Sequence, residues 1–125
     1  MEHFDHITND LQKFIEKQKI FFVGTATSDG LINISPKGLE SLKVIDKNRI
    51  LWMNLTGSGN ESAAHTQENP RMTLMFTSFD KKPLILRVYG EAKTIHRLDK
   101  DWDILSSYFP PSDASRQIFD LSISL

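Results

Sequence analysis

The feature that most constrains the fold is a repeated pattern of short β-rich runs joined by short turns. Ser28-Asp29-Gly30 is a hairpin signal, because an Asp-Gly pair tolerates the positive φ that tight hairpin turns require. Asp46-Lys47-Asn48 and Asp80-Lys81-Lys82-Pro83 separate further runs in the same way. Strands joined by such turns are antiparallel, and a chain with about seven of them tends to close into a barrel.

The strands are recognised by their β-branched and aromatic residues and by the alternation of apolar and polar side chains. They are predicted at 20–27, 31–37, 42–45, 49–55, 71–79, 84–96 and 119–125. Gly90 predicts a bulge or bend in the sixth run. Helical spacing predicts a first helix from Phe4 to a segment end at Lys17 and Lys19. It also predicts a short helix over 99–108, which would leave Trp102 and Phe109 for a partner surface.

Composition indicates a single domain, residues 1–125, of ordinary globular type. The chain is 39% hydrophobic and 25% charged, which is enough for one core. A net charge of −1 with scattered Lys and Arg argues against a nucleic-acid partner. The absence of cysteine excludes thiol catalysis, disulfides and thiolate metal sites. No apolar run reaches membrane length and no signal-peptide core is present, so we expect a cytoplasmic location and no membrane partner.

Histidines give no metal signal. The chain has four of them, His3, His6, His65 and His96. None has a second ligand at the spacing of a metal site, so no metal is predicted.

A glycine loop and a helix start stand between two of the strands, at Gly57-Ser58-Gly59-Asn60-Glu61-Ser62. Ser58 and Glu61 form a capping-box pattern, which predicts a helix over 58–68. A helix start behind a glycine turn presents free backbone N–H groups and suits a phosphate. Two alternatives stay open: a capped turn that binds nothing, and a dinucleotide-binding Rossmann unit, since most of its glycine pattern is matched. The hairpin links and Ser62 count against the Rossmann unit.

Three further features are candidates on chemical grounds: one strand face and two single residues. Asn33, Ser35 and Lys37 share one face of the second strand. Trp52 lies on the strand that leads into the glycine loop, so a planar ligand held there could touch it, although a core role is commoner. Arg87 lies in an otherwise apolar strand, and a buried charge there needs either a neighbouring carboxylate or an anionic ligand.

Five segments in order carry a resemblance to a known family. They are Phe22-Val23-Gly24-Thr25-Ala26, Ser35-Pro36-Lys37-Gly38, the loop 56–62, Glu68-Asn69-Pro70-Arg71 with Leu74-Met75-Phe76, and Leu86-Arg87-Val88-Tyr89-Gly90. Together they resemble the pyridoxamine 5′-phosphate oxidase-like FMN-binding split-barrel family over residues 20–93. The resemblance implies a mainly β fold, a six-stranded antiparallel split β-barrel of Greek-key type with flanking α-helices. It also implies a homodimer with FMN at the subunit interface.

The same resemblance implies a cofactor site. Lys37 matches the strand lysine that approaches the flavin, and Trp52 and Met53 match positions that line its ring. Asn60-Glu61-Ser62 matches the segment that holds the phosphate. The implied cofactor-binding residues are Ser35, Pro36, Lys37, Trp52, Met53, Asn54, Gly57, Ser58, Gly59, Asn60, Glu61, Ser62 and Arg87.

Three departures separate the chain from a true pyridoxamine-phosphate oxidase. Asn60-Glu61-Ser62 stands where the oxidase has Ser-Arg-Lys, so both basic phosphate ligands are missing. Ile85 aligns near a glutamine that contacts the flavin in the oxidase. The sequence also stops at Leu125, before the oxidase's substrate-binding arginine and histidine, so a naturally short chain and a truncated one are both open.

We therefore expect an FMN-binding flavoprotein, an oxidoreductase acting on a small organic substrate but not an authentic pyridoxamine-phosphate oxidase. FMN would carry the electrons, and Lys37 would stabilise negative charge on the reduced ring. No residue is assigned as a catalytic acid or base. The alternatives are a non-enzymatic flavin, haem or deazaflavin binding protein, and a cofactor-less dimeric interaction module.

Overall fold

The computed structural model describes residues 2–27, 30–55, 69–112 and 115–123. Its elements are α1 (Asn9–Lys17), β1 (Ile20–Thr25), β2 (Asn33–Gly38), a 3-10 turn (Leu39–Ser41), β3 (Leu42–Asp46), β4 (Arg49–Leu55), β5 (Arg71–Thr77), β6 (Ile85–His96), α2 (Trp102–Ser106) and β7 (Ser115–Ile123). The helix predicted over 58–68 lies outside the described residues, as do Ser28 and Asp29 of the first predicted turn.

The seven described strands form one antiparallel sheet in the order β2-β1-β5-β6-β7-β4-β3. Three strands separate β1 from β4 in the sheet order, yet Phe21 on β1 and Trp52 on β4 pack with 6.2 Å between ring centroids. This contact shows that the sheet is curled. The predicted antiparallel, mainly β class is confirmed, with seven strands in the sheet. All pairings between the described strands are antiparallel, so the Rossmann alternative is wrong.

The inside of the curl is an apolar core built from alternate residues of the strands. Trp52 stacks on Phe119 with 4.3 Å between ring centroids and meets Phe21 edge-on. Phe21 in turn stacks on Phe76, with 6.0 Å between centroids. Such aromatic pairs add to the free energy gained by burial alone. Smaller apolar side chains fill the space around them, among them Ile15, Val23, Ile50, Met72, Leu74 and Leu121.

A second, smaller core lies on the outside of the same sheet, beneath α2. Leu51 and Met53 point outward from β4 and are buried there, so β4 is covered on both faces. Leu105 and Phe109 cover them, and Trp102 packs against the cluster half-buried. The expectation that Trp102 and Phe109 need a partner surface is therefore wrong. Their segment folds back on β4 and β7, and this long-range packing has no signal in the local sequence pattern.

Helix α1 packs its apolar side on the inner core and is positioned by its N-terminus. The Thr8 hydroxyl caps the helix, since its Oγ1 accepts a hydrogen bond of 3.1 Å from the Leu11 N–H. The Ile7 N–H donates to the Lys47 carbonyl at 2.7 Å and so ties this segment to the β3–β4 turn. The predicted helix start at residue 4 is wrong, because Thr8 begins the helix and Phe4 lies outside it, 42% exposed.

Gly90 marks the point where β6 gains its second neighbour. Its register with β5 is continuous through Gly90, so the predicted bulge is absent from this strand. The pairing with β7 begins here, with Gly90 opposite Ile123. A Cβ on Gly90 would collide with the Ser122 carbonyl oxygen and lie 2.9 Å from Leu121 Cδ1. Glycine is therefore required for the close approach of β7.

Candidate functional site

The inner face of β2 carries a row of polar side chains. Asn33, Ser35 and Lys37 stand opposite the inward-facing residues of β1, with Lys37 paired to Phe21. Directly opposed residues of an antiparallel pair project to the same face, so these three side chains point into the curl. Their shared face, predicted from alternation, is confirmed. Pro36 lies on the opposite face and is exposed.

Lys37 is the most unusual residue of this row. Its side chain is half-buried, and Nζ lies 5.7 Å from the centroid of the Trp52 ring. A cation over an indole face gains a cation–π attraction. Burial nevertheless lowers the pKa of Lys37 below its ordinary value, because desolvation disfavours the charged form. A negatively charged group beside Nζ would offset that cost.

Asn54 supplies a second polar group at the end of β4. It is 1% exposed, and its Nδ2 donates a hydrogen bond of 2.7 Å to Gln117 Oε1 on β7. The β4–β7 register shifts between Asn54 and Leu55, so the ladder is irregular where β4 runs toward the glycine loop. Such irregularities often re-aim side chains beside binding sites.

Two buried polar atoms have no hydrogen-bond partner in the described part of the chain. They are Ser35 Oγ and Asn54 Oδ1. Buried polar groups are almost always paired, and an orphaned one costs about 1–3 kcal/mol unless a ligand or water satisfies it. Each belongs to a strand face that leads to the Lys37–Trp52 contact, since Ser35 lies two residues before Lys37 and Asn54 two residues after Trp52. This geometry defines the candidate site.

Trp52 itself is a core residue. Its ring has no exposed surface, Phe119 covers one face, and Nε1 donates to Met72 Sδ at 3.3 Å. In the site, the Trp52 ring packs against the Lys37 ammonium group. The ring offers no open face on which a planar ligand could stack.

Met53 and Arg87 lie away from the Lys37 contact. Met53 is 4% exposed within the outer core, on the opposite face of β4 from Trp52. Arg87 is exposed on the outer face of β6, paired with Met75. The buried-charge argument for Arg87 fails, because the outward position keeps its guanidinium in water. The loop residues Gly57, Ser58, Gly59, Asn60, Glu61 and Ser62 lie outside the described residues, so their place in the site stays a prediction.

Sequence reasoning missed Gln117. The β7 strand begins at Ser115, earlier than its predicted start at residue 119. Gln117, Phe119 and Leu121 alternate with outward-facing residues, and this period-2 pattern could have extended the predicted strand.

Within the described ranges, no group of three or more His, Cys, Asp or Glu side chains could hold a metal ion. The described helices are also too short and too polar to cross a membrane.

The family model for pyridoxamine 5′-phosphate oxidase matches residues 7–124. The chain belongs to this family. A relative, the pyridoxamine 5′-phosphate oxidase family protein ustO of Aspergillus flavus, is 38% identical over 95 residues. The match covers 74% of this chain and 38% of the relative, so the matched segment is well under half the length of the curated protein.

Solved structures of low sequence identity share the fold, which confirms the split-barrel class. HupZ of Group A Streptococcus is 17% identical with a TM-score of 0.73, and the match covers 94% of this chain and 90% of HupZ. The haem storage protein HutZ of Vibrio cholerae is 14% identical with a TM-score of 0.67, covering 95% and 91%. An FMN-binding protein of Syntrophomonas wolfei is 17% identical with a TM-score of 0.63, covering 90% and 80%. Neighbours in this fold therefore include both flavin-binding and haem-binding proteins.

Proposed function

We propose that the chain is a cytoplasmic, homodimeric FMN-binding protein that acts as an oxidoreductase on a small organic substrate. The observation that carries the proposal is the half-buried Lys37 Nζ over Trp52, on a strand face that also holds the orphaned Ser35 hydroxyl. Family membership and the fold shared with an FMN-binding protein support it.

The residues present fit a flavin. The pyrimidine edge of its ring offers both acceptors and an N–H donor. Lys37 and the Ser35 hydroxyl can donate to such acceptors, and Asn54 Oδ1 is free, within the described residues, to accept from the donor. When bound, FMN supplies the electron-transfer chemistry. The protein's part is to hold positive charge at Lys37 Nζ and to keep water from the buried amide of Asn54.

The homodimer is proposed from the outer face of β2, β1, β5 and β6, which we call the uncovered face. Pro36, Phe22, Met75 and Arg87 form one cross-strand row on it. Large apolar side chains beside that row are exposed: Ile32 at 73%, Ile34 at 69%, Ile85 at 58% and Tyr89 at 53%. An exposed and largely apolar area on a sheet, here with Arg87 as its charged member, indicates an interaction surface, and a second copy of the chain is the simplest partner with a matching face.

The absorption spectrum of the purified protein, followed by FMN titration, tests the cofactor. We expect flavin bands, or quenching of flavin fluorescence on titration with saturation at one FMN per chain. A Soret band on haem titration with no flavin binding would favour the second candidate, a haem-binding protein, which the HutZ likeness supports. A protein that binds neither would contradict the proposal and favour an interaction module.

The redox activity needs a separate test. The FMN-loaded protein should be reduced by an added electron donor and reoxidised by an organic acceptor faster than free FMN is. Equal rates for bound and free FMN would leave a flavin-binding protein without an enzymatic role.

A further inference from the structure

A cleft of about 280 Å³ lies outside the barrel, between α2 and the outward-facing residues of β4, β6 and β7. Its apolar lining comes from the buried Ile95 and Leu105 and from Ile104, which is 69% exposed. Volumes near 300 Å³ are at the small end for ligand pockets, which suits a small metabolite. The cleft is on the opposite face of the sheet from Lys37, so it is separate from the candidate cofactor site.

The charged lining of the cleft divides into a paired and an unpaired set. Arg49 donates from Nε and Nη2 to both carboxylate oxygens of Asp120, at 2.9 and 2.8 Å. This bidentate ion pair uses both carboxylate oxygens of Asp120, and Lys93 stands directly opposite Asp120 across the β6–β7 ladder without forming an ion pair with it. Lys93, Asp101 and the Tyr108 hydroxyl also line the cleft, and none of them makes a side-chain hydrogen bond or ion pair within the described part of the chain. One ammonium, one carboxylate and one hydroxyl are therefore available to a ligand.

We propose that this cleft binds a free α-amino acid with an apolar side chain. Lys93 would meet the ligand's carboxylate, Asp101 its ammonium group, and the surface of Ile104 and Leu105 its side chain. A phosphate dianion fits poorly, because it offers no cation to Asp101 and brings more negative charge beside Asp101 and Asp120 than a single carboxylate does. A neutral apolar ligand fits poorly as well, because it would partly desolvate the half-buried Asp101 and offer no charged partner to Asp101 or Lys93. The proposal does not depend on FMN binding.

The ligand's two charged groups can be tested one at a time on the unmodified protein. L-phenylalanine is titrated against phenethylamine, which lacks the carboxylate, and hydrocinnamate, which lacks the ammonium group. NMR amide shifts report binding and location. We expect phenylalanine to shift signals of α2 and β6, and each analogue to bind about tenfold more weakly, as for the loss of one charge-assisted hydrogen bond.

Two variants test which residue of the cleft contacts the ligand's carboxylate and which contacts its ammonium group. Lys93→Met should weaken phenylalanine about tenfold and leave phenethylamine unchanged, while Asp101→Asn should weaken phenylalanine and leave hydrocinnamate unchanged. Asp103→Asn is the matched control, because Asp103 is exposed on the same helix and does not line the cleft. It should bind phenylalanine as the unmodified protein does.

Three results would overturn the proposal. One is the absence of α2 and β6 shifts with phenylalanine near its solubility limit. The second is equal binding of phenylalanine and its two analogues to the unmodified protein, a result that does not require any variant to fold. The third is phenylalanine binding that Lys93→Met and Asp101→Asn leave intact, which would place the ligand elsewhere.

Discussion

Two regions on the outside of the same sheet differ in whether the chain covers them. Under α2, the outward-facing Leu51 and Ile118 are fully buried. On the uncovered face, Ile34 and Ile85 are 69% and 58% exposed although they are equally apolar and lie on strands of the same sheet. The contrast comes from the β6–β7 connection, because α2 lies in that connection and packs over β4 and β7.

Apolar residues in the two regions therefore contribute to different free energies, that of folding and that of association. Leu51 contributes to the stability of one chain, since its burial is complete without a partner. Ile34 contributes little to that stability because it is 69% exposed, and in the proposed homodimer the partner would cover it. Mutations on the two sides should therefore affect different equilibria: unfolding on the α2 side, and association on the uncovered side.

The largest expected effect is on the α2 side. Leu51→Ala should lower the free energy of unfolding by about 3–5 kcal/mol, the cost of lost transfer energy plus a cavity. Chemical denaturation measures it, and the loss should be the same at every protein concentration. Ile34→Ala, followed at a concentration where the protein is monomeric, should cost under about 0.5 kcal/mol. Comparable losses in the two variants would contradict the comparison.

A somewhat smaller effect is expected on the inner face, between β6 of the uncovered region and β7 beneath α2. Gly90→Ala should lower the free energy of unfolding by about 2–3 kcal/mol, because its Cβ meets backbone of β7 that cannot move aside. Gly24→Ala is the control: the nearest atom to its Cβ, the Thr73 carbonyl oxygen, is 3.8 Å away. It should be neutral or slightly stabilising. A destabilised Gly24→Ala together with an unchanged Gly90→Ala would refute the close-approach argument.

The uncovered face is tested by association. Ile34→Lys should raise the dimer dissociation constant about 30-fold, or about 2 kcal/mol, because it places an unpaired charge in an apolar interface. Analytical ultracentrifugation over a range of concentrations measures this constant. Ile104→Lys is the matched control, since Ile104 is also 69% exposed but lies on α2. Equal effects of both variants, or a monomeric unmodified protein, would remove the uncovered face as the dimer interface.

The smallest expected effect concerns the inner face. Lys37→Met should weaken FMN binding by about 1–2 kcal/mol, the contribution of one charged hydrogen bond. Isothermal titration calorimetry measures it, with Lys43→Met on the exposed side of β3 as the control. Unchanged affinity in Lys37→Met would take Lys37 out of the site.

The pH dependence of FMN binding sharpens this test. Burial lowers the pKa of Lys37, so the cation is lost at a lower pH than for a solvated lysine. FMN affinity should therefore be highest below that lowered pKa and fall as the pH rises through it, and Lys37→Met should abolish this part of the fall. Folding has the opposite pH dependence: burial disfavours charged Lys37 in the native state, so its contribution to stability improves as the pH rises between the lowered pKa and 10.5.

The elements were largely predictable, because their signals are local. Period-2 alternation placed Asn33, Ser35 and Lys37 on one strand face, and the Lys47-Asn48 turn placed β3 beside β4. The helix start was misplaced because helical apolar spacing continues N-terminal to Thr8. The capping hydrogen bond of Thr8 instead starts the helix there.

By itself, the sequence determined the antiparallel fold and the shared face of Asn33, Ser35 and Lys37, since both depend on residue types at short spacing, and the resemblance of five segments indicated the family. Only the tertiary structure decided which distant strand faces meet. The curl of the sheet brings Lys37 over Trp52, the docking of α2 buries Phe109, and the outward pleat leaves Arg87 in water. These outcomes depend on contacts between residues far apart in the chain, whose free energies are set by packing and desolvation and not by local conformational preference.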